Sequence, residues 1–371
     1  MGLGALTDGL APTPPMGWNS WNRFGPFVSD QLVRETADAL IESGMRDVGY
    51  RYVVVDDAWE GSLRSDDGNL EPNLWRFPNM HGLAAYLHSR ELRYGLYTCA
   101  GDRTCQGYPG SRSREFVDAR RFASWDVDFM KIDWCHSSGL DARTAYATWS
   151  EAIRATQRPM VLSICEWGRN RPWEWAGSVG HLWRTSGDIA DRWGSVMAIL
   201  DRQEALAQFA GPDHWNDPDM LEVGNGGMTD AEYRAHFSLW AILAAPLIAG
   251  NDVRAMSDAT RAILVAPEVI AVDQDRLGRQ GRRVNREREV EIWARELDGG
   301  GRAVVLLNRG ENAARAEVTW DLLGGSRRDT ALLRDLWERQ DIGPRREGYD
   351  LTLAPHSAAL LKATRDNSAR A

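Results

Sequence analysis

The feature that most constrains the fold of this chain is a repeated alternation of short apolar runs with amphipathic stretches. Eight runs have the length and hydrophobic pattern of strands: 15–21, 52–57, 94–99, 127–133, 160–165, 181–184, 214–217 and 244–249. Helical periodicity marks the stretches 30–45, 81–89, 114–125, 142–156, 195–209 and 230–240. This alternation is typical of a (β/α)8 barrel, so we predict an α/β fold of the TIM-barrel type.

Residue types that commonly cap helix N-termini precede four of these amphipathic stretches. The candidates are Ser29, Ser113, Asp141 and Thr229. A side-chain oxygen at such a position accepts a hydrogen bond from a backbone N–H of the first turn. We therefore predict that a helix starts directly after each of them.

The pattern changes beyond Gln274. Five short strand-like runs follow, separated by Gly, Asn, Asp and Pro: 290–294, 303–307, 316–320, 331–336 and 351–361. Short strands with frequent turns are typical of an antiparallel β-sandwich. We predict a barrel over 1–277, a sandwich over 278–364 and a flexible tail over 365–371, with the basic stretch 279–283 as a solvated connector.

Charge and composition argue against several classes of partner. The net charge of −9 is opposite to the basic field that nucleic-acid binding requires. No stretch is long and apolar enough to span a bilayer, and no signal peptide is visible. We expect a cytoplasmic protein, or a secreted one if a leader was removed, with no nucleic-acid or membrane partner. The sequence predicts no oligomeric state.

Polar residues accumulate where the predicted strands end. They are Asp56, Asp57, Asp133, Glu166, Arg184, Asp188, Asp217 and Asp219. Each carboxylate alone could cap a helix, and for Asp188 that reading stays open on the residues alone. Together they indicate a site at the C-terminal face of the barrel, where chemistry is placed in this fold.

One strand end carries a lysine and an aspartate two residues apart. Side chains alternate along a strand, so Lys131 and Asp133 share a face, opposite Met130 and Ile132. The ammonium would hold the carboxylate ionised and lower its pKa, as a nucleophile requires. A structural ion pair at a strand end is the alternative.

Several motifs, in this order, resemble the α-galactosidase and α-N-acetylgalactosaminidase family of retaining glycoside hydrolases (melibiase-like, glycoside hydrolase family 27). The motifs are PMGWNSW at 15–21, DDAW at 56–59, Tyr97 with TC at 104–105 and PG at 109–110, KIDWC at 131–135, SICEW at 163–167, WR at 183–184 with Asp188, and WNDPDM at 215–220. The resemblance runs from about residue 12 to 274, and the predicted sandwich also fits the family's architecture.

The resemblance implies a chemistry and two catalytic residues. Asp133 matches the nucleophile and Asp188 the general acid/base of a double displacement. The negative charge of Asp133 would raise the pKa of Asp188, so that it is protonated and can donate to the leaving oxygen. The implied substrate is a small carbohydrate with a terminal α-galactosyl group.

Sugar recognition is implied for a further set of residues. Asp56 and Asp57 match the pair that binds the 4- and 6-hydroxyls, although neighbouring residues can both reach a ligand only where a strand ends and turns. The other matches are Lys131 at the 3- and 4-hydroxyls, Trp21 and Tyr97 at the pocket wall, Arg184 and Asp219 near the 2-hydroxyl, and Met220. No cofactor and no metal are implied.

The segment around Cys165, Glu166 and Trp167 bears on specificity. In the family, bulky residues here select a free 2-hydroxyl, and Trp167 would fill the volume that a 2-acetamido group needs. The intact pair of acids at 56–57 favours galactose over L-arabinopyranose. The alternatives are a β-L-arabinopyranosidase, an α-N-acetylgalactosaminidase, or a sugar-binding protein without turnover.

The resemblance also assigns cysteines. Cys105 and Cys135 match a pair that forms a disulfide near the nucleophile, which would be open in a reducing compartment. Cys99 and Cys165 have no evident partner, and we interpret them as thiols on the pocket side.

Overall fold

The computed structural model describes residues 6–366, and its first part is built on eight parallel strands. Their bounds are β1 Met16–Asn19, β2 Tyr52–Val55, β3 Arg93–Cys99, β4 Phe129–Asp133, β5 Val161–Cys165, β6 Leu182–Arg184, β7 Trp215–Asp217 and β8 Leu247–Ala249. Each lies within or against one of the eight predicted runs, so the barrel prediction is confirmed.

The sheet closes through the segment that follows β7. Strand order is β7-β6-β5-β4-β3-β2-β1-β8, with parallel pairing throughout. At the open edge, Leu221 forms a parallel bridge with Ala249 of β8. The Leu221 N–H donates to Ile248 O at 2.8 Å, and the Gly250 N–H donates to Leu221 O at 3.0 Å.

Helices cover the outside of the sheet. Within the described residues they are α1 Trp21–Phe24, α2 Asp30–Glu42, α3 Met80–His88, α4 Glu115–Ser124, α5 Ala142–Ala155, α6 Trp193–Gln203, α7 Asp230–Ile242, α8 Asp258–Leu264 and α9 Pro267–Asp273. The predicted alternation fails once, because β5 and β6 are joined by two 3-10 turns, Pro172–Glu174 and Ala176–Ser178.

Three of the four predicted N-caps are confirmed. Ser29, Asp141 and Thr229 each accept a backbone N–H of the first turn. Ser113 does not: α4 begins later, and Arg114 takes the capping position without a side-chain bond. Ser113 instead has a φ of 60°, outside the extended region that an N-cap adopts.

The inner face of the barrel is apolar at its floor and polar at its carboxyl end. Tyr52, Phe129, Val161, Leu182 and Trp215 form one buried cluster near the start of their strands. Because side chains alternate, the next inward positions along β4 are occupied by Lys131 and then Asp133, while Met130 and Ile132 join the outer core. The predicted shared face of Lys131 and Asp133 is therefore confirmed.

The second part is an antiparallel sandwich. Its strands are β9 Arg282–Glu287, β10 Val290–Glu296, β11 Arg302–Asn308, β12 Ala314–Thr319, β13 Thr330–Asp335, β14 Gln340–Arg346, β15 Gly348–Leu353 and β16 Ser357–Arg365. Six form one sheet in the order β14-β13-β16-β11-β10-β9, and β12 pairs with β15. Ile292, Leu306, Val318 and Leu361 belong to the core between them.

Three details of the sandwich prediction are wrong. Strands β9 and β14 were not predicted. They are the two edge strands of the larger sheet, where polar residues are favoured and the apolar alternation is weak. The run 351–361 is two strands separated by a turn at 354–356. The predicted connector 279–283 reaches into β9, and the side chain of Arg283 is only 14% exposed and paired with the buried Glu291.

The predicted domain limits can be compared with these bounds. The predicted junction at 277/278 lies between α9 and β9. At the other end, Arg365 of the predicted flexible tail belongs to β16, and 367–371 lie outside the described residues. No helix among residues 6–366 has the length and apolarity to cross a membrane.

Candidate active site

A cavity of about 420 Å³ opens at the carboxyl end of the barrel strands. It is lined by Trp21, Asn22, Asp56, Asp57, Tyr97, Cys105, Lys131, Asp133, Trp167, Arg184, Asp188, Asp219 and Met220. The structure thus brings together every predicted site residue except Cys165 and Glu166.

Asp133 ends β4 and faces the cavity from a buried position. It pairs in register with Cys99 of β3 and Cys165 of β5, and it is only 6% exposed. Its Oδ1 accepts the Trp134 N–H at 2.8 Å. Burial raises the pKa of Asp133 to about 6, although the Lys131 charge opposes the rise. The predicted lowering of this pKa is therefore wrong, because loss of solvation outweighs the nearby ammonium.

Lys131 forms its ion pair with Asp56 rather than with Asp133. Its Nζ donates to Asp56 Oδ2 at 2.6 Å and lies 5.4 Å from the centroid of the Tyr97 ring. Burial opposes the ammonium charge, but the carboxylates of Asp56 and Asp133 outweigh it and raise the pKa of Lys131. Asn19 Nδ2 also donates to Asp56 Oδ2, at 2.6 Å. We call Asp56, Lys131 and Asp133 the β4 wall.

The two adjacent acids reach the cavity because the chain turns at the end of β2. The strand ends at Val55, and Ala58 has a left-handed φ of 77°. Asp57 Oδ1 accepts the Ala58 N–H at 2.7 Å, and Oδ2 accepts the Gln106 N–H at 2.8 Å. Burial raises the pKa of Asp57 despite these bonds.

The predicted disulfide between Cys105 and Cys135 is confirmed, with Cα atoms 5.2 Å apart. The hydroxyl of Tyr97 contacts Cys105 Sγ at 3.3 Å, so the bridge supports the pocket wall beside the nucleophile. Among residues 6–366, the one cluster of three potential metal ligands consists of Asp133 and these two cysteines. Their sulfurs are bonded to each other and are not thiolate ligands.

Arg184 holds two carboxylates on the opposite side of the cavity. Its Nη2 lies 2.9 Å from Asp188 Oδ1 and 2.8 Å from Asp219 Oδ2. The side chain of Asp188 is 69% exposed, whereas those of Arg184 and Asp219 are each 4% exposed. We call Arg184, Asp188 and Asp219 the β6 wall.

The two carboxyl groups of the β6 wall have pKa values shifted in opposite directions, although both contact Arg184. Burial would raise the pKa of Asp188, but the Arg184 guanidinium outweighs it and lowers that pKa. Burial raises the pKa of Asp219 despite the same guanidinium. The predicted rise in the pKa of Asp188 is therefore wrong. The capping alternative is also wrong, since α6 starts at Trp193 with Arg192 as its N-cap.

Trp167 lines the cavity at a sharp turn after β5. It has a left-handed φ of 60°, and Gly168 follows with a φ of 72°. A Cβ at Gly168 would lie 2.4 Å from Thr185 O, so only glycine fits this approach. The turn directs Trp167 into the cavity and Glu166 away from it.

Glu166 and Cys165, which were predicted to belong to the substrate-binding segment, lie behind the residues that line the cavity. Glu166 is fully buried and its Oε2 accepts from the Asn170 backbone N–H and side chain, both at 2.6 Å. Cys165 Sγ accepts from Arg184 Nη1 at 3.6 Å, beneath the β6 wall. Cys99 is in register with Asp133 and on the same face of the sheet, as predicted, and its thiol donates to Cys135 O at 3.0 Å.

The sequence reasoning missed Asn22. This residue directly follows Trp21 within α1, and its Nδ2 donates to Glu222 Oε1 at 2.7 Å. Its position directly after Trp21 could have suggested it as a site residue. The helix that orients it has only four residues, too few to show helical periodicity.

A larger cavity lies at the amino end of the barrel, at about 770 Å³. Its lining includes Asp8, Arg154 and His181 but no pair of carboxylates. The chemistry of the lining therefore indicates the smaller cavity as the active site.

Comparison with known families agrees with both parts of the fold. A family model described as alpha galactosidase A matches residues 13–275. A second, described as the alpha galactosidase C-terminal beta sandwich domain, matches residues 287–363.

Individual relatives cover most of the chain. Alpha-galactosidase A of Cellvibrio japonicus (strain Ueda107) is 49% identical over 323 residues, 84% of this chain and 80% of the relative. The crystal structure of alpha-galactosidase I from Mortierella vinacea has a TM-score of 0.95 at 35% identity, covering 97% of this chain and 98% of that one. An alpha-galactosidase from Saccharomyces cerevisiae with raffinose has a TM-score of 0.93 at 29% identity, covering 97% and 100%.

Proposed function

The chain belongs to the alpha-galactosidase A family, and on this basis we propose that it is an exo-acting glycosidase that hydrolyses terminal α-D-galactosides with retention. The observation that carries the proposal is that Asp133, at the end of β4, and Asp188, in the segment after β6, face one small cavity. A retaining glycosidase uses two carboxyl groups in this way, one as nucleophile and one as acid and then base.

In the first step, an oxygen of Asp133 attacks the anomeric carbon and forms an ester bond. The bond from that carbon to the leaving oxygen breaks, and Asp188 transfers its proton to that oxygen. The product is a galactosyl-enzyme and a free aglycone. This step needs Asp133 ionised and Asp188 protonated.

Substrate binding favours the ionised form of Asp133 and the protonated form of Asp188. An aglycone that covers the exposed Asp188 removes water from it, which raises its pKa. Sugar hydroxyls that donate to Asp133 stabilise its charge and lower its pKa. Thus the two carboxyl groups can exchange one proton between them as the complex forms.

In the second step, Asp188 is ionised and accepts a proton from water. The water oxygen attacks the anomeric carbon, and the ester bond to Asp133 breaks. Two inversions at one carbon leave the α-configuration, and both carboxyl groups return to their starting charge.

Two features of the cavity favour galactose. Asp56 and Asp57 both line it, and they supply acceptors for the 4- and 6-hydroxyls, the latter absent from L-arabinopyranose. Trp167 lines the cavity, where we expect its ring to fill the volume that a 2-acetamido group needs, and Arg169 lies over that ring at 4.5 Å. Steric exclusion of this kind discriminates strongly.

Rates on three chromogenic substrates test the proposal. We expect the nitrophenyl α-galactoside to be cleaved faster than its 2-acetamido analogue and the β-L-arabinopyranoside. NMR of the first product should show the α-anomer. Faster cleavage of either analogue assigns the chain to the corresponding alternative. Affinity without release, in wild type and Asp133→Ala alike, indicates a sugar-binding protein.

A further inference from the structure

We propose that the β-sandwich positions the acid/base carboxyl group by holding helix α6, and that His356 is a positioning residue for the reaction. The inference rests on the proposed role of Asp188. It concerns how that side chain is kept in place, since the sandwich contributes no residue to the cavity lining.

The segment that carries Asp188 leads directly into α6. Asp188 is followed by Ile189, whose N–H donates to Asp219 Oδ2 at 2.8 Å. The Ala190 N–H donates to Ser195 Oγ of α6 at 3.0 Å. A displacement of α6 therefore reaches Asp188 through four residues of chain.

The Asp188 side chain has little support of its own. It is 69% exposed, and among the described residues its hydrogen-bond partner is Arg184. Its position depends on the course of the backbone between β6 and α6. Small displacements of a catalytic group are costly, and 1 Å can reduce a rate about 10²-fold.

The sandwich contacts the first turn of α6. The ring of His356 stacks on that of Trp193, with centroids 5.0 Å apart and an interplanar angle of 22°. His356 is held between Glu232 of α7 at 2.8 Å and Glu311 of the sandwich at 3.1 Å. Trp193 Nε1 also donates to Arg309 O at 3.5 Å.

The sandwich also contacts the last turns of α6. Arg309 donates to both oxygens of Asp201, at 2.6 and 2.9 Å. Arg283 pairs with Glu204, which follows the helix. Both arginines bond to Glu291, whose side chain is fully buried. Because the sandwich holds α6 at both of its ends, the segment that carries Asp188 runs between two fixed elements, β6 and α6.

A second contact between the two domains provides a matched control. Arg334 donates to both oxygens of Glu268, at 2.8 and 2.7 Å. This pair has the same bidentate form as that of Arg309 with Asp201, but Glu268 lies in α9, which carries no cavity residue. Asp201→Asn and Glu268→Gln therefore weaken equivalent contacts at different helices.

The test compares two leaving groups, because help from a general acid matters most when the leaving oxygen is strongly basic. For His356→Ala, we expect kcat/KM on methyl α-galactoside to fall on the order of tenfold more than on dinitrophenyl α-galactoside. Asp201→Asn should show the same bias at about threefold. His356→Phe keeps a ring against Trp193 and should restore most of the loss.

Equal losses on the two substrates for both His356→Ala and Asp201→Asn would overturn the inference, as would an equal bias in Glu268→Gln. Should His356→Ala fail to fold, Asp201→Asn carries the comparison alone. Asp188→Ala distinguishes this from failure of the proposed function: if it shows no bias toward the poor leaving group, Asp188 is not the acid.

Discussion

On the β4 wall, Asp133 is 6% exposed and its pKa is raised to about 6. On the β6 wall, the side chain of Asp188 is 69% exposed, and Arg184 lowers its pKa. The nucleophile is therefore the weaker acid of the pair, the reverse of the order that the first chemical step uses. The two pKa shifts differ in sign because Asp133 is buried without a cation in direct contact, whereas Asp188 contacts Arg184 and stays exposed to solvent.

This difference indicates that the substrate completes the electrostatics of the site. The sugar supplies hydroxyl donors to the β4 wall, and the aglycone removes water from the β6 wall. Above pH 6 the free enzyme already has Asp133 ionised, so the main change on binding is that Asp188 gains a proton.

The largest expected effect comes from deleting the nucleophile of the β4 wall. Asp133→Ala should lower kcat/KM on the order of 10⁴-fold or more, for good and poor leaving groups alike, because no ester can form. Stopped assays on nitrophenyl and methyl α-galactosides measure this. A loss confined to one leaving group would contradict the division of roles.

Deleting the carboxyl group of the β6 wall should give a selective loss. Asp188→Ala should lower kcat/KM on methyl α-galactoside by about 10²–10⁴-fold, and by far less on dinitrophenyl α-galactoside, which needs no proton to leave. Folding of the variant is checked by its thermal transition. Uniform loss across leaving groups would mean that the two walls do not differ in function.

The change of kcat/KM with pH should have opposite signs in the wild type and in Asp188→Ala. The active free enzyme carries one proton on the pair, so wild-type kcat/KM falls as pH rises through about 6, the raised pKa of Asp133. Without Asp188, the activated substrate needs only ionised Asp133, so the rate rises through about 6. Profiles with the same slope above pH 5 in both proteins would refute the assignment.

A smaller effect concerns stability. The pKa of Asp133 is about 6 in the folded protein and 3.8 when unperturbed, so between these values the native state binds more protons than the unfolded state. The contribution of Asp133 to the free energy of unfolding therefore falls as pH rises and is lost above about pH 6. Asp133→Asn should be more stable than wild type by about 2–3 kcal/mol at pH 7 and equal to it near pH 4. Denaturant unfolding at both values measures the difference.

Much of the fold could be predicted from periodicity, because each barrel strand is an apolar run. The same rule placed Lys131 and Asp133 on one face. The edge strands β9 and β14 could not be recognised, since their exposed positions need no apolar alternation.

The sequence predicted which residues line the site better than it predicted their pKa values. Motifs brought Asp133 and Asp188 together, but the pKa of each depends on burial and on the position of Arg184, which only the folded structure gives. The sequence did not show that Glu166 lies behind the lining, because this depends on the left-handed turn at Trp167 and Gly168 and on the close approach of Gly168 to Thr185.

The central claim is that Asp133 forms the covalent bond while Asp188 only moves protons. Asp188→Ala mixed with dinitrophenyl α-galactoside should accumulate the galactosyl-enzyme, because its hydrolysis lacks the general base. Acid quenching, proteolysis and mass spectrometry should locate one hexosyl group on Asp133. A hexosyl group on any other residue, or aglycone release with no adduct and a β-configured product, would contradict the account.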